Sequence, residues 1–425
     1  MYSVIDCNNF FVSCERVFRP DLAHHPVVVL SNNDGCVVSR SAEAKLLGIP
    51  MGAPAFKYAD IFNRHRVTLF SSNFSLYADM SHRVMNTIQS FAPQMEIYSI
   101  DEAFIPFEGY SESRLVAHLE SLRKTILQSI GIPVSIGIAP TKTLAKLANE
   151  TAKIDKTGVA IMYPEDLNSR TCDISVSEIW GIGRALTQFL AEHGIFTVPQ
   201  LVACDDAWIK KHLTISGLKT VRELRGISCI PFEEIYPAKQ SIISSKSFGR
   251  PVKTQSQMKE AVAAFTTRAA EKLRAEHEVA THIGVSMTTN FHKKDERQYS
   301  NSATTALLQP TNVTPDLIKE ALGIVDRIFK PGFSYKKAVV SLIGLHDEKS
   351  IQQGMFGPDM TMQREVDAEK KKRLMATLDR VNGELGRGTL SFLAEGVTKK
   401  WKQKRERASP RYTTRWDELA VVKSN

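Results

Sequence analysis

Tyr2-Ser-Val-Ile-Asp-Cys-Asn-Asn-Phe-Phe11 and Glu96-Ile-Tyr-Ser-Ile-Asp-Glu-Ala-Phe104 decide how this chain is read. Each holds acid at the end of an apolar, β-branched run: Asp6 in the first, Asp101 and Glu102 in the second. A carboxylate ending a buried strand is costly unless a cation pairs with it, and three brought together repel one another. A divalent metal is the usual remedy, and a pair of metals is the apparatus of phosphoryl and nucleotidyl transfer. Most Asp-Glu pairs at strand ends are solvated turn residues. Asp6 lies inside an apolar strand, where that account is harder to sustain. Adjacent residues of a flat strand point opposite ways, so Asp101 and Glu102 share a site only where the backbone turns.

Outward from Asp6, residues 2–6 read as a short buried strand. Asn8 and Asn9 can cap a helix starting near Phe10, because Asn accepts the free N–H groups of a first turn. The N–H groups of Asn8, Asn9, Phe10 and Phe11 then lie at a helix N-terminus, where anions bind readily. Phe10 reads as core packing. Phe11 reads either as core or as an apolar ring that excludes a sugar 2′-hydroxyl. Strands are expected at 26–30, 36–38, 134–138 and 158–162, with two more between 96 and 107 joined near 99–102. Helices are expected at 41–47, 77–91, 114–130 and 141–151. The irregular alternation suggests an α+β sheet with helices on one face. A mostly helical unit follows from about 165. A third unit reads strand 241–248, helix 256–278, strands 281–289 and 298–308, helix 315–329, strand 338–345, the βαββαβ order of a split βαβ arrangement.

The 425 residues suggest several domains, and a formal net charge of +9 mildly favours a polyanionic partner. The six cysteines show no CxxC pair, which suggests reduced thiols packed in the core. No secretory leader or membrane-spanning stretch is evident, so a cytoplasmic protein is expected.

Three further motifs stand out. In Ile179-Trp-Gly-Ile-Gly-Arg-Ala-Leu186 a Gly-x-Gly turn opens a helix, a helix-hairpin-helix pattern whose backbone N–H groups hold phosphate without reading sequence. An ordinary helix–helix turn is the alternative, and it is preferred for the weaker echo at Ile215-Ser-Gly-Leu218. Lys142, Lys146 and Lys153 crowd one helix, Lys142 and Lys146 on the same side; they form either a solvated face or the wall of a triphosphate pocket. From Lys399 to Arg415 lie eight Lys or Arg against one Glu, interleaved with Trp401 and Tyr412. Such a tail suits nucleic acid or an acidic protein surface, or simply keeps the chain soluble.

These motifs resemble the Y-family of translesion DNA polymerases along nearly the whole chain. Asp6 with Ser99-Ile-Asp-Glu102 is similar to that family's metal triad, the segment Val134 to Asn149 to its palm, and Trp180-Gly-Ile-Gly-Arg184 to its thumb hairpin. Ser31-Asn-Asn-Asp-Gly-Cys36, Tyr77-Ala-Asp-Met-Ser81, Gly386-Arg-Gly-Thr-Leu390 and Ser409-Pro-Arg-Tyr-Thr-Thr-Arg415 resemble the UmuC family in particular, which includes the catalytic subunits of bacterial DNA polymerase V and plasmid-borne relatives.

The resemblance implies an α+β right-hand polymerase. Its parts would be a ferredoxin-like palm at 1–20 and 77–164, small fingers at 21–76, a helical thumb at 165–232, a βαββαβ little finger at 240–346, and a C-terminal partner-binding region with basic tail at 347–425. It implies that Asp6, Asp101, Glu102 and the Cys7 carbonyl hold two Mg²⁺ ions, with Asn8, Asn9, Phe10, Phe11, Ser39, Lys45 and Lys153 around the dNTP. Phe11 would be the steric gate against ribonucleotides. Lys142, Lys146, Gly181, Gly183 and Arg184 would hold DNA backbone. Gln352, Met355 and Phe356 would bind a sliding clamp, and a UmuD′-like dimer and a RecA-type filament would be partners. The chain departs from many members in having Ala42 where they have Tyr and Lys45 where they have Arg.

The activity implied is error-prone, template-directed DNA synthesis opposite damaged bases in an SOS-type response. No other carboxylate cluster suggests an exonuclease, so no proofreading is expected. Two other classes compete. A non-catalytic DNA-binding subunit would not need the acids, and a nucleotidyl cyclase would not need a duplex-gripping hairpin.

Overall fold

The strand bearing Asp6, β1 (Tyr2–Cys7), is the centre of a five-stranded sheet. It is seen in a computed structural model that describes residues 1–233, 238–350 and 362–419. Two units are present: Met1–Tyr236 together with Glu406–Asn425, and Pro237–Arg405.

In the first unit α1 (Phe10–Phe18) follows β1. The chain then builds a separate three-stranded sheet from β2 (Val27–Leu30), β3 (Val37–Arg40) and β4 (Thr68–Ser71), in the order β3-β2-β4. Two short helices, α2 (Ala42–Leu46) and α3 (Ala59–Arg64), accompany it, and its own core includes Val28, Leu30, Val37, Ile49 and Phe62. The chain returns through α4 (Phe74–Phe91), β5 (Glu96–Ile97), β6 (Glu102–Pro106), α5 (Glu112–Ile130), β7 (Val134–Ala139), α6 (Lys142–Ile154) and β8 (Val159–Ile161). The sheet order is β5-β6-β1-β7-β8, with β1 antiparallel to both neighbours.

The alternation of β1 assigns its faces. Ile5 and Cys7 join the core that holds the apolar sides of α1, α4 and α5, while Val4 faces Leu144, Ala145 and Ala148 of α6. Helices therefore cover both faces, which corrects the expectation of one. Val4 and Ile5 are each fully buried, and a strand apolar on both sides must be covered on both. The approach of α6 to β7 depends on Gly137. A Cβ there would lie 2.1 Å from the Ala145 carbonyl oxygen and 2.3 Å from the Asn149 nitrogen. Asn149 completes the contact by donating its amide to the Ser135 carbonyl at 2.7 Å.

The helical stretch beyond β8 comprises α7 (Leu167–Arg170), α8 (Arg184–Glu192), α9 (Val198–Val202) and α10 (Asp206–Leu224), the last broken at Thr214. Leu190, Leu201 and Val221 share the α6-side core.

The second unit follows the order expected from sequence: β9 (Ser241–Val252), α11 (Gln255–Ala275), β10 (Glu278–Thr289), β11 (Ser300–Thr311), α12 (Thr314–Ile328) and β12 (Tyr335–Asp347). The sheet runs β11-β10-β12-β9, every pairing antiparallel. Each helix thus joins parallel strands separated by one strand of opposite direction, the split arrangement. The helix α13 (Met362–Glu384) was not expected, and neither were α3 and β4. β4 is four residues long, too short to show a period, and α13 is largely polar.

Gly137→Val should lower the stability of the first unit by about 1–3 kcal/mol by forcing α6 off β7. Thermal unfolding measures this, with Gly323→Ala as the control: nothing lies within 4 Å of a Cβ there, and the change should be neutral or slightly stabilising.

Candidate active site

Strand register brings the acids together. Asp6 and Glu102 are direct partners across β1 and β6, and the Cys7 N–H donates to the Asp101 carbonyl at 2.9 Å. Direct partners present their side chains on one face, where like charges repel. Asp101 lies in the bend just before β6, so the backbone turn that two neighbouring acids need is present. Tyr98 and Ser99 hold that bend by donating their N–H groups to the Glu102 carbonyl, and the Ser99 hydroxyl donates to the Asp101 carboxylate.

Two lysines of α6, seven residues apart and so two turns along one face, meet these acids. Lys153 Nζ lies 3.1 Å from Asp6 and 2.7 Å from Glu150. Lys146 Nζ lies 2.7 Å from Glu102, with its ammonium over the Tyr98 and Trp180 rings. Burial pushes the Asp6 carboxyl up to about 7; Lys153 opposes the shift and the charge of Glu102 adds to it. Burial, followed by the charges of Asp6 and Asp101, drives the Cys7 thiol well above its ordinary range.

Among the described residues no three Asp, Glu, His or Cys side chains are gathered as a metal cage. Glu102 is turned to Lys146 and Asp101 to Ser99. The donor set nonetheless suits a hard divalent cation. It is made of carboxylate groups, two of them opposed on paired strands, with a repulsion that Lys146 and Lys153 answer.

A cleft of about 650 Å³ opens beside Asp6 and Asp101. Cys7, Asn8, Asn9, Phe10, Phe11, Ser39, Lys45 and Lys153 line it, together with Arg40, Arg123 and Lys156, which the sequence reading did not single out. No local motif marks those three; they converge only because β3, α5 and the end of α6 meet here. Burial, then the neighbouring charges of Arg40 and Lys153, lower the Lys45 pKa. Cations that repel one another across a cleft form a site for an anion.

Asn9 corrects an expectation. It stands at the N-cap of α1 in the left-handed region, φ 49°, but its side chain makes no capping bond. Its carbonyl instead accepts from the Ser39 hydroxyl at 3.3 Å, while Ser39 Oγ accepts the Val12 N–H at 3.4 Å. Ser39 thereby ties β3 to the start of α1. Asn8 Oδ1 accepts from the Ser135 hydroxyl at 2.9 Å. Phe10 is buried in the core, as expected, although it borders the cleft. Phe11 is half-buried, stacked on Tyr77 with centroids 4.5 Å apart.

Other residues named from sequence stand elsewhere. Gly181, Gly183 and Arg184 are exposed, with Gly181 at φ 92°. Trp180 anchors their turn by donating its indole N–H to the Tyr98 hydroxyl at 2.9 Å. Lys142 is 1% exposed, paired with Glu96 and donating to the Pro231 carbonyl at 2.6 Å. Its charge is held inside the protein, which removes it as a DNA contact. Lys146 is likewise engaged by Glu102. The C-terminal aromatics are also packed: Trp401 sits edge-on against Phe248 and Phe265, and Tyr412 stacks on Phe18 at 4.5 Å. All six cysteines are free. Cys7 and Cys14 are in the core as expected, but Cys172 is exposed. Gln352, Met355 and Phe356 lie outside the described residues. Among the described residues, no helix is long and apolar enough to cross a membrane.

Known proteins resemble this chain over its whole length. Residues 5–150 match the model of the impB/mucB/samB family, residues 239–355 its C-terminal domain, and residues 372–422 a domain of unknown function, DUF4113. The chain is 44% identical to Protein UmuC and 39% identical to Protein ImpB, both of Salmonella typhimurium, with each alignment covering 100% of both chains. It is 38% identical to Protein MucB of Escherichia coli over 99% of each chain. Among solved structures, a Y-family DNA polymerase chimera, Dbh-Dpo4(243-245)-Dbh, aligns with TM-score 0.63 and 20% identity, covering 81% of this chain and 99% of that one. An insertion ternary complex of Dbh DNA polymerase aligns with TM-score 0.53 over the same shares, also at 20% identity.

Two outcomes are expected of these charges. A carboxyl raised from 3.8 to about 7 on folding contributes stability that is fully present below pH 3.8 and lost as pH rises through 7. In chelator-treated protein Asp6→Asn should therefore have a larger unfolding free energy than the parent chain at pH 8, by a few kcal/mol in order of magnitude, and the gap should shrink toward pH 4. Lys142→Met should cost about 3–5 kcal/mol by stranding Glu96, yet leave the salt dependence of DNA binding unchanged; a flatter salt slope would show that Lys142 does reach phosphate.

Proposed function

The chain belongs to the impB/mucB/samB family, the UmuC family of Y-family DNA polymerases, and from that membership we propose that it is a DNA-directed DNA polymerase of translesion synthesis. It adds dNTPs to a primer 3′-end opposite damaged template bases. The observation that carries this reading is one cleft that gathers acids and bases together, Asp6 and Asp101 with Arg40, Lys45 and Lys153. A triphosphate answers the cations, and a divalent cation answers the acids.

In this proposal Asp6, Asp101, Glu102 and the Cys7 carbonyl hold two Mg²⁺ ions, which when bound supply activation of the primer hydroxyl and neutralisation at the reacting phosphorus. The chain's own groups do the rest. Lys45, Arg40 and Lys153 hold the triphosphate, aided by the N–H groups at the start of α1. Positioning then supplies much of the rate, since phosphoryl transfer asks little covalent chemistry of the protein. Phe11, backed by the flat face of Tyr77, meets the sugar and excludes a 2′-hydroxyl. The exposed turn at Gly181, Gly183 and Arg184 holds DNA backbone, while Lys146 keeps Glu102 in place. The palm, fingers, thumb and little-finger roles go to residues 1–20 with 77–164, 21–76, 165–232 and 240–346.

The small three-stranded fingers sheet would check base-pair geometry loosely, which suits damaged templates and error-prone synthesis without proofreading. Dependence on a UmuD′-like dimer, a RecA-type filament and a sliding clamp, a place in an SOS-type response and a cytoplasmic, nucleoid-associated location complete the proposal.

The test is extension of a primer across a lesion template with Mg²⁺ and those partners. Asp101→Ala should abolish extension while DNA binding persists. Phe11→Ala should raise ribonucleotide insertion about tenfold or more. Undiminished extension by Asp101→Ala would leave a non-catalytic DNA-binding subunit as the better description.

A further inference from the structure

Tyr77 serves two contacts at once. Its ring stacks on Phe11, 14° from parallel, and its hydroxyl donates to Glu15 Oε1 at 2.6 Å. Glu15 stands four residues beyond Phe11 on α1, and so on the same helix face, with none of its surface exposed. A second donor reaches the same oxygen, the Ser409 hydroxyl at 3.0 Å.

Ser409 comes from the far end of the chain, in the first unit's C-terminal segment. That segment is fastened to the start of α4. The Asn73 side-chain amide donates to the Ser409 hydroxyl oxygen at 2.9 Å and to the Pro410 carbonyl at 3.0 Å. Asn73 is also the N-cap of α4, accepting the Leu76 N–H, and α4 carries both Phe74 and Tyr77 against Phe11. Next to it, the Ser71 N–H donates to the Arg407 carbonyl at 2.9 Å and the Arg407 N–H to the Ser71 hydroxyl at 3.0 Å. Tyr412 then packs on Phe18 at the other end of α1. The string Ser409-Pro-Arg-Tyr412 therefore bridges the two helices whose aromatic rings meet at Phe11, and the proposed reaction leaves it unused.

We infer that Ser409, acting through Glu15 and Tyr77, positions the Phe11 ring and so sets the sugar selectivity of the cleft, making the C-terminal segment a working part of the nucleotide gate. The inference rests on Phe11 being that gate. Glu15 fixes the Tyr77 hydroxyl, the hydroxyl fixes the plane of the ring, and the stacked ring limits how far Phe11 can swing. Without the Ser409 hydroxyl, Glu15 keeps one donor of two and Asn73 loses an acceptor. A side chain held against a reacting group loses discrimination after a displacement of about 1 Å.

The test measures kcat and KM for insertion of a dNTP and the matching ribonucleotide, with the full chain and its partners. The variants are Phe11→Ala, Ser409→Ala, Ser409→Thr and Tyr77→Phe. Ser409→Ala should raise the ribonucleotide-to-deoxynucleotide ratio of kcat/KM by about tenfold, mainly through a lower ribonucleotide KM, with dNTP kcat retained. Tyr77→Phe should raise the same ratio, the double variant should add little to it, and Ser409→Thr should restore the parent ratio. If Phe11→Ala raises the ratio while Ser409→Ala and Tyr77→Phe leave it alone, the inference is overturned and the gate stands. If Phe11→Ala also leaves it alone, the gate reading fails and takes the inference with it. A parallel loss for both nucleotides at constant ratio means that Ser409 supports the fold only, which also overturns the inference.

Discussion

Asp6 and Glu102 face each other across two paired strands, and the rest of the first unit is arranged around that repulsion. A buried strand cannot hold opposed carboxylates without cations close by. α6 supplies them, Lys153 to Asp6 and Lys146 to Glu102, and it reaches them because Gly137 lets its backbone settle on β7. A small residue in the sheet, two lysines at helical spacing and two acids at strand ends are thus one device. Burial raises the Asp6 pKa against the pull of Lys153, and the charge of Glu102 adds to the rise.

The cleft shows the same balance with opposite sign. Lys45 is disfavoured as a cation by burial and by Arg40 and Lys153, so this side is set for an anion. Acids and bases brought within one cavity of about 650 Å³ define a ligand that is both metal-binding and polyanionic, which a nucleoside triphosphate is. Phe11 lines the same cavity, and its ring packs on Phe74 and Tyr77, with support from α1, α4 and the C-terminal segment together.

Much of this was legible in sequence, for identifiable reasons. The β1 run and the bend before Glu102 carry a charge where apolar period requires none, so both acids and the turn between them were visible. The βαββαβ order of the second unit was visible because its helices are long and its strands alternate. Lys142 misled: helix spacing placed it correctly beside Lys146, but both face the β5–β6 hairpin, where Glu96 takes the charge of one and Glu102 the other. Spacing gives a direction and says nothing of what stands there. Trp401 and Tyr412 misled in the same way, since a basic stretch with aromatics has one composition whether its rings are free or packed.

By itself the sequence determined which residues carry charge out of pattern, the βαββαβ order of the second unit, and a resemblance that named the family. Those are properties of local spacing and of specific strings. The tertiary structure alone decided which face of β1 meets which helix, that Arg40 joins Lys45 and Lys153, that Lys142 is internal, and that Ser409 lies against Glu15, 394 residues away in the chain. Such pairings depend on strand register and helix docking, and a contact between distant segments leaves no period or spacing in either one.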